Sequence, residues 1–393
     1  APDAVCRVRY GGYLPVDETQ SLTADPLLET DSVDVPANTA QPVWITVKLP
    51  RNAKAGVYRS ELRLSARSHV PASLPLVVEV LPAALPEPPD WSFYLNIWQD
   101  PSAVARAHKV EVWSEEHWKL LERYAANYAA HGMKAVMTHI IHDPWDSVRG
   151  LADDTFVEWQ HPGEFQPGAA EKFTWDFTVF DRYVQMMLNA GVREKIDMYA
   201  LVMGPGSSTK ADIRYLDTST GQHRNLALNV GDPLWQEVWI AFLPVLREHL
   251  KEKGWFGRAM LGFDEKPAAV MKTIFDFVVK YAPDFKVSSS GGYPGDERKW
   301  GDEIIFFYDV MTDPVQWEKF TPLVRRMRED PARYVGFYTC CAPVYPNTFL
   351  FSQLRESRLM PWLARKYGLD GYIRWAADIY PENVWEQVRF TWP

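Results

Sequence analysis

From residue 91 onward the chain alternates short apolar runs with amphipathic, capped stretches, and the number of repeats points to a closed parallel sheet. Strand-like runs lie at 91–98, 134–141, 196–203, 259–264, 285–290, 304–308, 334–339 and 371–375. Helix-like stretches fall between them at 114–131, 176–190, 233–252, 267–282, 314–329 and 353–367. Ser114 is a typical helix-starting residue, Glu115 and Glu116 occupy the first turn, and Gly132 follows the end. The gap between the fifth and sixth runs is too short for a full helix. Eight strands with crossover helices is the count of a (β/α)8 TIM-like barrel, and a doubly wound open sheet fits it less well. In a barrel the chemistry sits on the loops that follow the strands. Two of these, 142–175 and 204–232, have the length of functional loops.

The first 86 residues have another period. Pro42 to Lys48 alternates, 52–56 supplies a turn, Val57 to Leu64 alternates again, and Leu74 to Val80 closes the series. Short strands separated by turn signals predict a smaller all-β, sandwich-like domain over 1–86. Pro82, Pro86, Pro88 and Pro89 then form a stiff linker. The barrel is expected over 87–393, and the 393 residues suit a barrel of about 250 plus one small domain. The chain stops soon after the eighth run without a visible eighth helix, so a fragment or another closure is expected.

Composition narrows the partners. No apolar run approaches the roughly 20 residues of a membrane span. A net charge of −9 with no block of like charges argues against nucleic acid, which demands a clustered basic face. The 17 Trp and 18 Tyr fit a carbohydrate ligand, whose ring faces stack on aromatics, although aromatics also fill cores. Cys6, Cys340 and Cys341 are an odd count with two neighbours, neither a disulfide framework nor metal-ligand spacing. His139 and His142 do not form a metal-site signature either. Gly204-Pro205-Gly206 lacks the strand-to-helix context of a phosphate loop, and Ser288 to Ser290 lacks a nucleophile elbow. No metal or cofactor is expected. The opening Ala-Pro-Asp-Ala holds no apolar signal segment. A removed export signal, as in a secreted or periplasmic protein, and no signal at all read alike here.

The residues best suited to chemistry are Asp264 and Glu265, at the end of the fourth strand just before Pro267. Adjacent carboxylates repel, which keeps one proton on the pair near neutral pH. Glycoside hydrolysis needs one carboxylic acid for the leaving oxygen and a second group at the anomeric carbon. An acidic first turn of a helix is the plainer explanation. Retaining barrel glycosidases place a second acid near the end of strand seven, but 334–341 carries none. A substrate with a 2-acetamido group supplies its own nucleophile, its carbonyl oxygen closing an oxazoline, and this is a stated exception to the two-carboxylate rule. One carboxylate would then hold the acetamido N–H and its neighbour act as the acid.

Gln41 to Val47, Ala55 to Tyr58, Leu95 to Pro101 and Gly262 to Pro267, in this order and spacing, resemble glycoside hydrolase family 123 from about residue 40 to the end. The resemblance implies a β-sandwich before a (β/α)8 barrel. It also implies an exo-acting, retaining β-N-acetylgalactosaminidase using the substrate-assisted route on a glycan with a terminal β-linked N-acetylhexosamine. Asp264 would orient the acetamido group and Glu265 would be the general acid/base. The β-region is shorter than the family's sandwich, and the C-terminal end comes early. Candidate substrate-binding residues ring the same mouth: Asn96, Trp98 and Gln99 at strand one, His139 at strand two, Tyr308 at strand six, Tyr338 and Asn347 at strand seven, Trp375 at strand eight. Packing or local hydrogen bonding is the competing role for each. Two other readings stay open. One is a barrel glycosidase with a conventional nucleophile such as Asp309 or Asp378, and the other is a non-catalytic carbohydrate-binding protein.

Overall fold

The alternation after residue 90 closes into a barrel. The computed structural model describes residues 5–16, 21–67, 69–146, 152–199, 201–204, 206–291, 301–381 and 383–384. Its eight-stranded parallel sheet consists of β1 (Tyr94–Ile97), β2 (Ala135–His139), β3 (Lys195–Tyr199), β4 (Ala259–Asp264), β5 (Lys286–Ser290), β6 (Glu303–Phe307), β7 (Tyr334–Tyr338) and β8 (Gly371–Arg374). From β2 to β8 each strand pairs in register with the next, and β8 returns to β1 through Gly371 opposite Tyr94. The Lys134 N–H donates to the Leu95 carbonyl across the remaining gap between β1 and β2. The TIM-like barrel read from the sequence is therefore the fold, preceded by an all-β region.

The helices are α1 (Pro101–His108), α2 (Glu115–Ala130), α3 (Thr178–Ala190), α4 (Pro233–Glu252), α5 (Ala268–Tyr281), α6 (Tyr308–Thr312), α7 (Pro314–Met327) and α8 (Leu354–Tyr367). Local chemistry explains their ends. The Ser114 side chain accepts from the His117 N–H, Asp313 accepts from Val315 and Gln316, and Gly191 and Gly368 end α3 and α8 in the left-handed conformation. In α4, Trp235, Val238, Trp239, Phe242, Leu243, Leu246 and Leu250 recur at helical spacing and all are fully buried. Each such side chain is worth about 1.5–3 kcal/mol of burial.

Two features depart from the sequence reading. The long loops after β2 and β3 are partly a sheet: Glu158–His161, Thr174–Asp176, Ile213–Asp217 and Gln222–Leu226 pair as four strands. The extra helix α1 follows β1, started by Asp100, whose side chain accepts from the Ala103 N–H. The connection between β5 and β6 and the end of the chain lie largely outside the described residues.

Contacts divide the chain at Glu87–Pro88. In the first unit, Val5–Val16 lies between Ser21–Leu28 and Val43–Lys48 in an antiparallel sheet, and Gly56–Leu64 pairs with Ala72–Val80. The alternation read in Val43–Lys48 recurs as half-buried Ile45 and Val47 between exposed neighbours. No helix among the described residues is long and apolar enough to cross a membrane.

Candidate active site

The barrel interior is sealed by a charge cluster. Lys195 on β3 bridges Asp197, at 3.0 Å, and Glu303 on β6. Asn96 Nδ2 donates to Asp197 at 3.0 Å, and Ser288 Oγ donates to Glu303 at 3.0 Å. All are buried. Burial raises Asp197 above the ordinary carboxylate range, and the Lys195 charge opposes it. Asn96, expected at the mouth, is committed to this interior cluster.

An aromatic layer lies at the mouth. Trp98 stacks on Trp145 with ring centres 5.1 Å apart, and Tyr199 tilts against both. Gly262 on β4 is what admits Tyr199, because a Cβ there would sit 2.7 Å from its ring. This layer borders a cavity of about 450 Å³ lined by Trp98, Trp145, Asp264, Glu265, Ser290, Tyr338, Thr339, Cys340, Cys341, Phe349, Ile373, Arg374 and Trp375. Such a volume lies within the range of small-ligand pockets.

Asp264 is the last residue of β4 and Glu265 is the first beyond it. The register places Asp264 opposite Ser290, and the Glu265 N–H donates to the Ser290 carbonyl at 2.8 Å. Glu265 has φ +46°, a left-handed conformation that costs a side-chain-bearing residue about 1–2 kcal/mol. Backbone strain of this kind collects at functional sites. It turns the Glu265 side chain outward, exposed, while Asp264 stays half-buried. Tyr338 Oη, from the end of β7, donates to Glu265 Oε1 at 2.6 Å. Burial, and then the hydrogen bond to Glu265, push the Tyr338 hydroxyl well above its ordinary value.

Asp264 is pushed up to about 8, first by burial and then by the charge of Glu265, with Lys266 pulling the other way. Lys266 is buried and gives no bond to either acid. Its Nζ donates to the carbonyls of Met203, at 2.8 Å, and Ser208, at 3.1 Å, anchoring the segment after β3. Burial lowers Lys266 to about 8. Among the described residues no cation forms an ion pair with Asp264 or Glu265, unlike the interior carboxylates.

Among the residues singled out from sequence, Asp264, Glu265, Trp98, Tyr338 and Trp375 come together on the cavity. The others stand one layer back. Gln99 is buried, donating to the Ala135 carbonyl and accepting from the Met137 N–H at 2.9 Å, so it stitches β1 to β2. His139 is buried edge-on between Trp145 and Phe156, and Phe156 lines a second cavity of about 340 Å³ with His142 and Arg214. Tyr308 opens α6, one residue beyond the strand it was expected to end, and packs near Phe337. Asn347 is buried, and its Nδ2 donates to the carbonyls of Cys340 and Pro343. Asp309 is exposed in the first turn of α6. Asp378 is buried, accepting from the Asp100 N–H and the Tyr128 hydroxyl. Neither acid lines the cavity.

Sequence reasoning missed Ser290, Phe349, Arg374 and the two cysteines as wall residues. Arg374 is the last residue of β8, and its guanidinium donates to the carbonyls of Thr339 and Cys340. A basic residue at a strand end was visible in the sequence, but its carbonyl partners, more than 30 residues away, were not.

Residues 98–393 match the family described as Glycoside hydrolase 123, catalytic domain. Residues 9–66 match the Glycoside hydrolase 123 N-terminal domain. No curated protein matches the chain. Among solved structures, the chain is similar to a family 123 glycoside hydrolase from Clostridium perfringens, studied for glycolipid glycan hydrolysis. The TM-score is 0.82 at 22% identity, covering 97% of this chain and 67% of that one. A hyperthermostable endo-1,4-β-D-mannanase from Thermotoga petrophila RKU-1 aligns with a TM-score of 0.37 at 13% identity, over 70% of this chain and 87% of that one, too distant to carry an argument.

Proposed function

The chain belongs to glycoside hydrolase family 123, and from that premise we propose that it is an exo-acting, retaining β-N-acetylgalactosaminidase whose substrate supplies the nucleophile. The carrying observation is the acid inventory of the cavity. Among the described residues its carboxylates are Asp264 and Glu265, neighbours on one strand end. A conventional retaining pair must flank the sugar from two sides, about 5–5.5 Å apart. Two residues leaving the same strand serve one side.

The steps follow from the placement. The acetamido carbonyl oxygen attacks the anomeric carbon as the glycosidic bond breaks, and Glu265 gives its proton to the leaving oxygen. Asp264 accepts the acetamido N–H. Water then attacks the anomeric carbon, Glu265 takes its proton, and the oxazoline opens with net retention. Burial and the Glu265 charge push Asp264 up to about 8, which favours its protonated form at neutral pH. An N–H donated by the substrate favours the ionised form. Binding thereby drives the proton from Asp264, and the adjacent Glu265 is placed to receive it. Half-buried Trp375 offers a flat apolar face for the sugar, and Tyr338 steadies Glu265. Asn96 belongs to the interior cluster, and Gln99, His139, Tyr308 and Asn347 stand off the cavity wall. The natural substrate is a glycan end carrying a terminal β-linked N-acetylhexosamine, glycolipid head groups included by analogy with the Clostridium perfringens protein.

Hydrolysis of matched aryl β-glycosides tests this. Turnover of the N-acetylgalactosaminide above the N-acetylglucosaminide, with none of the plain galactoside, is expected. Comparable turnover of the plain galactoside would sink the substrate-assisted route.

A further inference from the structure

Cys340 and Cys341 stand on the cavity wall just beyond β7, and their sulfurs are 3.6 Å apart. Cys341 is exposed and Cys340 is half-buried. The backbone around Cys340 is held from several directions. Its carbonyl accepts from Asn347 Nδ2 at 3.1 Å and from the Arg374 guanidinium at 3.0 Å, and its N–H donates to the Ala342 carbonyl. Two residues back, Tyr338 touches Glu265. Two thiols this close, on a pinned backbone and open to a pocket, form a site that the hydrolytic chemistry does not use.

We propose that Cys340 and Cys341 form a modification site: a vicinal dithiol that a small-molecule disulfide closes to an intramolecular disulfide, reshaping the wall of the catalytic cavity. Exposed Cys341, as thiolate, attacks one sulfur of the small disulfide and releases one thiol. Cys340, also deprotonated, then attacks the Cys341 sulfur and expels the second thiol. Two protein thiols become one disulfide, one small disulfide becomes two thiols, and the two protons pass to the leaving sulfurs. Closure draws the sulfurs from 3.6 Å to about 2.05 Å. Adjacent Cα atoms are about 3.8 Å apart, below the usual 4.4–6.8 Å span of a disulfide, so the ring is strained. Strained, accessible disulfides are the reducible, regulatory ones. Because Cys340 is held by Asn347 and Arg374, the Cys341 side of the wall must move. A shift of about 1 Å in a substrate-positioning element can cost as much as 10²-fold in rate.

The test treats the intact chain with glutathione disulfide and reads peptide masses, so it does not depend on the sugar assignment. Exposed Cys6, alone on its strand, serves as the internal control and keeps a glutathione adduct. The peptide carrying Cys340 and Cys341 should lose two hydrogens, hold no adduct, and revert with dithiothreitol. Cys340→Ser should instead retain glutathione on Cys341. Oxidation should lower kcat/KM about tenfold on whichever aryl glycoside the enzyme cleaves, reversibly. Free thiols or a stable adduct at the pair, while Cys6 is modified, would overturn the site. A fully closed disulfide with unchanged kcat/KM would overturn its effect on the cavity.

Discussion

Two of the carboxylate pairs among the described residues of the barrel are built on opposite plans. In the interior, Asp197 and Glu303 share Lys195, with Asn96 and Ser288 donating to the acids. At the mouth, Asp264 and Glu265 sit next to Lys266 in sequence, yet its ammonium is turned to the backbone of the segment after β3. The interior cluster compensates its charge and is sealed, a structural arrangement. At the mouth, no cation among the described residues pairs directly with the acids, and the Lys266 charge only partly offsets the rise of Asp264. A buried or half-buried acid becomes reactive when the neighbouring cation is withheld.

The sharpest break between the two plans should come from Glu265→Gln. Loss of the proton donor should lower kcat about 10²–10⁴-fold on poor leaving groups and far less on activated aryl glycosides. Measured against a series of aglycone pKa values, a uniform loss would remove Glu265 from the acid role. Lys195→Met attacks the other pair. Leaving two buried carboxylates without their cation should cost about 3–5 kcal/mol in denaturant unfolding, with the leaving-group dependence unchanged. A stable Lys195→Met with altered leaving-group dependence would merge the two regions into one functional unit.

Asp264→Asn separates stability from activity. Burial and the Glu265 charge push Asp264 from its ordinary 3.8 up to about 8 in the fold, so the fold prefers the protonated form. Between these values the unfolded chain binds fewer protons, and stability falls as pH rises. Asparagine does not ionise and escapes that loss. The variant should match the parent near pH 4 and exceed it by roughly 1–3 kcal/mol at pH 8 and above, after allowance for partial solvent access, while losing activity. Thermal melts across this window decide it, and a gain that is flat with pH would show that Asp264 does not carry the charge cost. The smallest effect belongs to Tyr338→Phe, which removes one hydrogen bond to Glu265. About tenfold in kcat is expected with KM little changed, whereas a rise in KM alone would make Tyr338 a substrate contact.

The fold was legible because each barrel element carries its signal within a few residues. Strands buried on both faces are short apolar runs, as in Ala259 to Phe263, and helices announce themselves with Ser114, Pro233 or Pro314 at their starts. The four-stranded sheet in the long loops was not legible. Glu158–His161 is stabilised by Ile213–Asp217, over 50 residues away, and neither run is apolar throughout. The acid pair stood out by its place at a strand end. The fate of Asn96 and Gln99 did not, because a polar residue at a strand's mouth and one turned into the interior share the same sequence pattern.

Gly291 turns this geometry into a rule for reading other barrels. Its φ is +71°, and a Cβ there would lie 2.6 Å from the Tyr338 hydroxyl and 3.0 Å from Glu265 Cγ. The contact between acid and phenol is thus gauged by a missing carbon atom on the neighbouring strand's exit. A barrel with an Asp-Glu pair after its fourth strand but a bulkier residue at this place would hold the same acids at a different separation from their phenol. The size of one residue after the fifth strand is therefore a simple way to sort acid-paired barrels by how their proton donor is held.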